Sequence, residues 1–318
     1  MAAVTSRRRV VRVPASSGNL GPGFDVIGAA LSLFLELEVS ESADREFSIE
    51  PGGEGIPTDR SNLIVSSFER LHPADGLRFE VLRNEIPIAR GLGSSAAAIL
   101  AGLMAADHLF ELGHSREELF AHACEIEGHP DNVAAALYGG VTICSPPGAQ
   151  FRQTPPDPVE IGAGAPPPTQ IPVPARLSPP EGVEALVVIP DEQVPTEAAR
   201  AAMPAQVPIA DAAHNVAAAS HLILGIERSD LTLIERGLAD RLHQPYRRPL
   251  YERSMEVVEA ARDLGALGAT ISGAGPSVLV WSYWQSSTDL ISDLVAAAGG
   301  WADVVRAPFN PFGAEVEL

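Results

Sequence analysis

Along Leu33, Leu35, Leu37 and Val39 apolar side chains alternate with Glu36 and Glu38, the period-two mark of a strand with one face buried. Val10 to Val13 reads as a short strand before it, and Phe47 to Glu50 and Leu77 to Leu82 continue the β pattern. The period then changes. Ser95 to Phe110 predicts a mainly apolar helix ending near Gly113. Ser115-x-x-Glu118 is a capping-box signal for a second helix through about Glu127, stopped by Gly128 and Pro130. Strands first, then helices packed on them, predict an α+β domain.

Past residue 182 the alternation resumes. Val183 to Ile189 is a buried strand, followed by helices near Ala212 to Glu227, Asp230 to Arg241 and Leu250 to Leu264. Strands at Ala269 to Ser272 and Ser277 to Trp281, a helix near Thr288 to Ala298 and a strand at Val304 to Ala307 complete a second α+β half. Between the halves, prolines from Pro146 to Pro180 punctuate a stretch that cannot hold a helix or a central strand. The expected division is a domain over 1–150, a proline-rich insertion over 151–182 and a domain over 183–318.

With 318 residues, 46% of them hydrophobic, the chain can bury two real cores. A net charge of −19 argues against a nucleic-acid or anionic-membrane partner, since both demand a basic face. No apolar run reaches membrane-spanning length and the Arg7-Arg8-Arg9 start lacks a leader pattern, so a cytoplasmic location is expected. Cys124 and Cys144 show no ligand-like spacing and are expected as small buried hydrophobes.

Chemistry concentrates in Pro87-Ile88-Ala89-Arg90-Gly91-Leu92-Gly93-Ser94-Ser95-Ala96-Ala97. Gly91 and Gly93 allow a tight turn into a helix whose free N–H groups and dipole suit a polyphosphate. Ser94 and Ser95 stand where an N-cap belongs, one to close the helix and the other to reach a phosphate oxygen or Mg²⁺. A Walker loop is excluded because the chain contains no lysine. A dinucleotide fingerprint, Gly91-x-Gly93-x-x-Ala96 with Glu111 downstream, fits poorly because Arg83 to Ile88 carries charges and Pro87 instead of a buried strand. An ordinary capped helix is the plain alternative.

The segment resembles the ATP-binding loop of the GHMP small-molecule kinases. Two more segments of that family occur in order: Val13-Pro14-Ala15-Ser16-Ser17-Gly18-Asn19-Leu20-Gly21-Pro22-Gly23-Phe24-Asp25, with Gly18 where alanine is usual, and Gly268-Ala269-Thr270-Ile271-Ser272-Gly273-Ala274-Gly275-Pro276-Ser277. The resemblance implies a two-domain α+β fold, the second domain a ferredoxin-like α/β sandwich, with the active site in the cleft between them. It implies ATP and Mg²⁺ as cofactors and a homodimer. Gly273, Gly275 and Ser277 are expected to support the phosphate loop.

Between the outer motifs, Glu127-Gly128-His129-Pro130-Asp131-Asn132-Val133 and Gly139-Gly140-Val141 resemble the branch of the family that phosphorylates L-homoserine on the route to threonine. On that resemblance Mg²⁺ is held by Ser94, Ser95 and a carboxylate at the end of the preceding helix, Glu125, with Glu127 the alternative. Asp25 takes the acceptor's ammonium with Asn19 beside it, Arg200 and Arg247 take its carboxylate, and His129, Asp131 and Asn132 face it. Arginine suits a carboxylate because its planar fork binds two oxygens at once. Asn132, Asp131 and Arg247 form the expected catalytic set. An asparagine cannot accept a proton, so Asn132 is expected to orient the hydroxyl while the γ-phosphate or solvent takes the proton; Asp131 is the alternative base. A kinase for another small alcohol and a non-catalytic ligand sensor on the same fold are the rival functions.

Overall fold

Strands β1 (Arg8–Ser17) and β2 (Ile27–Glu41) run antiparallel, and their register sets Val13 against Leu35 and Val11 against Leu37, all on the buried face. The computed structural model to which they belong describes residues 7–53, 55–145 and 173–317. β3 (Ser48–Glu50) lies parallel to β4 (Leu77–Asn84), which pairs antiparallel with β2. Between them stands α1 (Leu63–Phe68), six residues and too short to show a helical period in sequence.

Helices α2 (Ser94–Phe110) and α4 (Pro130–Tyr138) cover the sheet, and α3 (Arg116–Glu127) packs on both of them. The predicted capping box is present: Ser115 accepts from the Glu118 N–H while the Glu118 carboxylate accepts from the Ser115 N–H. Pro130, read from the sequence as a stop, instead opens α4. Proline is well suited to the first helical position, where its missing N–H would have had no partner. β5 (Val141–Ile143) pairs with β2, and β6 (Ala175–Leu177) pairs with β5. The proline-rich stretch therefore ends in an edge strand of the first sheet; its residues 146–172 lie outside the described residues. An edge position tolerates the flanking Pro174 and Pro179 because only one side of the strand needs hydrogen bonds.

β7 (Val183–Pro190) begins the second half, followed by α5 (Thr196–Ala201), α6 (Ile209–Arg228), α7 (Leu231–Gly237), α8 (Gln244–Arg247) and α9 (Glu252–Ala260). The helix expected from Asp230 to Arg241 starts as predicted, with Asp230 capping the Thr232 and Leu233 N–H groups. It ends at Gly237, and Asp240 then captures the next backbone donors. β8 (Gly268–Ile271), β9 (Val278–Tyr283), α10 (Ser287–Ala298) and β10 (Ala302–Arg306) complete an antiparallel sheet ordered β10-β7-β9-β8. With α9 and α10 in the crossovers this is the split βαβ pattern of ferredoxin-like units.

β7 alternates between two cores. Leu186 and Val188 pack with Met255, Leu290 and Leu294, whereas Ala185 and Val187 join Leu222, Trp281 and Phe309 in a cluster continuous with the first half. The halves thus share one apolar interior. Residues after Arg306, expected within the second domain, return to the first: Phe309 bridges Leu31, and β11 (Glu315–Glu317) pairs with β1. Cys124 and Cys144 are both buried, and burial pushes their thiols up, as small core residues should behave. Among the described residues no helix is long and apolar enough to cross a membrane.

Candidate active site

Ala89, Gly91 and Gly93 all adopt positive φ, which folds the loop after β4 back upon itself. Gly93, not a serine, is the N-cap of α2 and carries no side-chain cap, so the first-turn N–H groups keep their hydrogens for a ligand. The Ser95 hydroxyl instead donates to the Glu127 carboxylate at 2.6 Å. A Cβ at Gly91 would stand 2.2 Å from the Ser272 carbonyl oxygen, and one at Gly93 2.0 Å from Ser16 Oγ, so neither position has room for a side chain. Gly273 abuts the Gly91 carbonyl, Ser272 Oγ donates to that carbonyl at 2.7 Å, and the Ser277 N–H donates to Arg90 O at 3.3 Å. The 272–277 turn therefore packs on the phosphate loop; Gly275 presses against the Tyr251 ring.

Ile88, Ala89, Gly91, Gly93, Ser94, Ser95 and Ala97 line a cleft of about 530 Å³. Pro87, Arg90, Leu92 and Ala96, counted with them from the sequence, serve as supports. Leu92 and Ala96 are buried, and Arg90 donates to the Pro190 and Asp191 carbonyls, tying the loop to the end of β7. One wall was not foreseen: Leu35, Ile56, Pro57, Leu63, Ile64 and Ile86 form an apolar chamber beside the loop, with Asn62 and Asn84 at its margin. These positions look like ordinary core in the sequence.

Glu125, expected as the metal carboxylate, does not line the cleft. Glu125 pairs with Arg70 at 2.6 Å outside the cleft, while Glu127 lines it. Two residues on a helix differ by about 200° around the axis, so only one of these glutamates can face the cleft. Burial pushes the Glu127 carboxyl up, partly offset by His129 and Ser95. Among the described residues no group of three or more histidine, cysteine or acidic side chains forms a self-sufficient metal cage.

On the opposite side the first turn of α4 meets the β1–β2 loop. Asp131 is buried and does not line the cleft; its carboxylate accepts from the Asn19 N–H at 2.8 Å and the Asn132 N–H at 3.0 Å and faces His129 Nδ1 at 3.0 Å. Expected in the catalytic set, Asp131 thus stands behind the cleft wall with three contacts on its carboxylate. Burial raises the Asp131 carboxyl, but the His129 hydrogen bond and charge together with the two N–H donors hold it below the usual range. Gly18 permits this approach, since a Cβ there would lie 2.3 Å from Asp131 Oδ2.

Asn132, His129, Asn19, Arg200 and Arg247 do reach the cleft. Asn132 Oδ1 accepts from Ser16 Oγ at 2.9 Å, which leaves the amide N–H groups to face a ligand. Asn19, at φ 52°, donates through Nδ2 to Gly273 O and accepts the Asp25 N–H, joining the first and third motifs. Asp25, set just off the lining, pairs with Arg200. Arg247 is enclosed and donates through Nε to Ala199 O and through Nη1 to Gly273 O; the Phe24 ring lies 5.2 Å from it and 5.9 Å from Arg200. A carboxylate, two arginines and an amide donor thus stand opposite an open helix N-terminus.

Sequence comparison agrees with this geometry. Residues 62–140 match the GHMP kinases N terminal domain and residues 222–297 the GHMP kinases C terminal domain. The chain belongs to the GHMP kinase family and is an ATP-dependent small-molecule kinase. Among its relatives, the homoserine kinase of Thermus thermophilus is 38% identical over 299 residues, 93% of this chain and 89% of that one. The homoserine kinase of Carboxydothermus hydrogenoformans is 40% identical over 276 residues, 85% and 83% of the two chains. The crystal structure of homoserine kinase from Cytophaga hutchinsonii superposes with a TM-score of 0.80 at 27% identity, covering 100% of this chain and 99% of that one.

Proposed function

We propose that the protein transfers the γ-phosphoryl group of ATP to the side-chain hydroxyl of L-homoserine, giving ADP and O-phospho-L-homoserine on the route to threonine. The observation that carries this reading is the pairing, within one cleft, of an uncapped helix N-terminus at Gly93 with two arginines and the Asn132 amide, Asp25 being held at the edge by Arg200. A nucleotide base fits the apolar chamber, the phosphates fit the N–H groups of Gly93 to Ser95, and a zwitterionic alcohol fits the charged end. An acceptor without a carboxylate leaves the enclosed Arg247 with neutral partners only and no counter-charge, which disfavours sugars and simple alcohols.

The donor set suits Mg²⁺: Glu127 offers carboxylate oxygens to the cleft, Ser95 is already hydrogen-bonded to it, and Ser94 is adjacent. These three residues would hold the ion, which would neutralise phosphate charge when bound. The chain's own work is positional. Asn132 donates to and orients the acceptor hydroxyl, Arg247 and Arg200 hold the carboxylate, and the α2 N-terminus stabilises negative charge on the transferring group. The bond from phosphorus to the bridging oxygen of ADP breaks as the bond to the acceptor oxygen forms. The hydroxyl proton passes to a phosphoryl oxygen or solvent, because Asp131 is enclosed and engaged.

ADP release is measured with Mg·ATP and, separately, L-homoserine, L-serine, L-threonine, mevalonate, shikimate or galactose. Strong stimulation by L-homoserine with phosphohomoserine as product is expected; turnover of another alcohol instead sinks the substrate claim. The homodimer is part of the same proposal and is tested by sedimentation velocity.

A further inference from the structure

His243 is fully enclosed, and both ring nitrogens are engaged on groups of the acceptor side. Nε2 lies 2.7 Å from the Gly21 carbonyl oxygen and therefore carries the hydrogen. Nδ1 then holds a lone pair, and it faces Arg247 Nη1, which can only donate, at 3.4 Å. Those partners select one neutral tautomer, since a proton on Nδ1 would point at a guanidinium. Burial also disfavours the charged ring, as does Arg247, with Asp240 acting in the opposite sense.

Asp240 is the scaffold beneath it. Its carboxylate accepts the N–H groups of Leu242, His243 and Gln244 and the side-chain amide of Asn215, which fixes the backbone that presents the ring. Its Oδ2 lies 3.6 Å from Nε2. The Phe24 ring, 5.6 Å away and tilted by 32°, closes another side and is the same ring that underlies Arg247 and Arg200. The imidazole does not line the cleft, so it has no direct contact to offer a ligand. It is a bracket between two parts: the loop from Asn19 to Asp25 through Gly21, and the Arg247 guanidinium.

We propose that His243 is a positioning residue for acceptor recognition, which as the neutral Nε2–H tautomer holds the Arg247 guanidinium and the Asn19–Asp25 loop in one relative geometry. The proposal rests on the reading of Arg247 and Asp25 as anchors for the acceptor's carboxylate and ammonium. Arg247 Nε is tied to Ala199 and Nη1 to Gly273 and His243, so Nη2 is the end of the fork not held by these groups. Arg247 also meets that loop through the Gly273 carbonyl it shares with Asn19 and through the Phe24 ring, and His243 adds the hydrogen-bonded link from the guanidinium to Gly21.

The test is steady-state kinetics of His243→Gln, His243→Asn, Arg247→Gln and the double variant His243→Gln/Arg247→Gln. A glutamine amide can reproduce the Gly21 bond but not the Arg247 bond, and an asparagine the reverse. His243→Gln is expected to raise the L-homoserine KM by about tenfold or more, the effect of one hydrogen bond to a charged group, with the ATP KM within about twofold. In the Arg247→Gln background the same change should add less than about twofold, as coupled residues are not additive.

Equal factors in both backgrounds, or ATP and L-homoserine KM rising together with a fall in Tm, overturn the proposal. If Arg247→Gln raises the L-homoserine KM and neither His243 variant does, the proposal alone fails. If Arg247→Gln leaves that KM unchanged, the reading of Arg247 fails and takes the proposal with it. Should the variants not fold, ¹⁵N-histidine NMR of the wild-type protein decides. An unprotonated Nδ1 that shifts on addition of L-homoserine supports the bracket, and a protonated or unresponsive Nδ1 overturns it.

Discussion

Asp25 and Arg200, 175 positions apart, meet in a two-pronged ion pair with Oδ1–Nη2 2.8 Å and Oδ2–Nη1 3.1 Å. The sequence assigns each of them to an opposite charge of the acceptor; in the structure they satisfy each other. Both side chains are partly exposed, 24% and 40%, so the pair is worth at most about 1 kcal/mol and separates at little cost. A zwitterion inserted between them exchanges one ion pair for two. Asp25→Asn and Arg200→Gln should each raise the L-homoserine KM by about tenfold or more while ATP KM stays nearly constant. Unchanged acceptor KM in both would show that the pair only closes the surface.

Glu127 and Glu125 separate cleanly by position, one in the cleft and the other paired with Arg70 outside it. Glu127→Gln should lower kcat on the order of a hundredfold or more and raise the Mg²⁺ needed for half activity. Glu125→Gln removes a partly exposed pair with Arg70 and should leave kcat within about twofold, with a small loss of Tm. The reverse pattern in the two Mg²⁺ titrations would return the metal to Glu125.

Asn132→Asp tests proton handling. Its new carboxylate would sit in the same helix turn as Asp131 and still accept from Ser16, but the amide donor facing the cleft would be gone. The expected outcome is a fall in kcat of about tenfold or more, because the orienting hydrogen bond is lost and like charges are crowded together. A clear rate gain would show that a base operates at this position and that the native site lacks one.

His129 lies between two carboxylates, 3.0 Å from Asp131 and 3.6 Å from Glu127. Burial alone would lower its pKa, yet the two acids raise it, and Asp131 is lowered in return. The raised histidine contributes stability that is complete below its unfolded value and lost as pH climbs through the folded one. The lowered aspartate contributes above its unfolded value and loses that contribution as pH falls through the folded one. Both contribute in full between about pH 4 and pH 6.5. In metal-free thermal melts, His129→Gln should therefore lower Tm most within that window and less on its alkaline side. A difference that is flat or grows with pH would mean the ring is uncharged there.

Much of this architecture could be read from the chain because period and punctuation agreed with the fold. The alternation at Leu35, Leu37 and Val39 and the Ser115 capping box both reappear as built. The three glycine-bearing motifs do converge, as Asn19 on Gly273 and Ser272 on Gly91 show. What was missed depends on tertiary context. Pro130 has the same local signature whether it ends one helix or begins the next. Glu125 and Glu127 differ only in helical phase, set by which face of α3 packs on the core. The apolar chamber uses residues that no pattern separates from core, and the Asp131 carboxylate is turned toward the Asn19 N–H, 112 positions away.

The pairing of β1 with β11 has a consequence for how the protein comes into being. Arg12 and Glu315, neighbours on that seam, are separated by 303 residues. At about 5–20 residues per second, a ribosome needs on the order of fifteen seconds to a minute to deliver the second after the first. Throughout that interval the outer flank of β1, the strand that carries Ser16 beside the phosphate loop, is an unclosed sheet edge open to any other extended chain. The earliest part of the nucleotide site to be made is thus among the last to be sealed, and its safety during synthesis rests with whatever shields nascent chains.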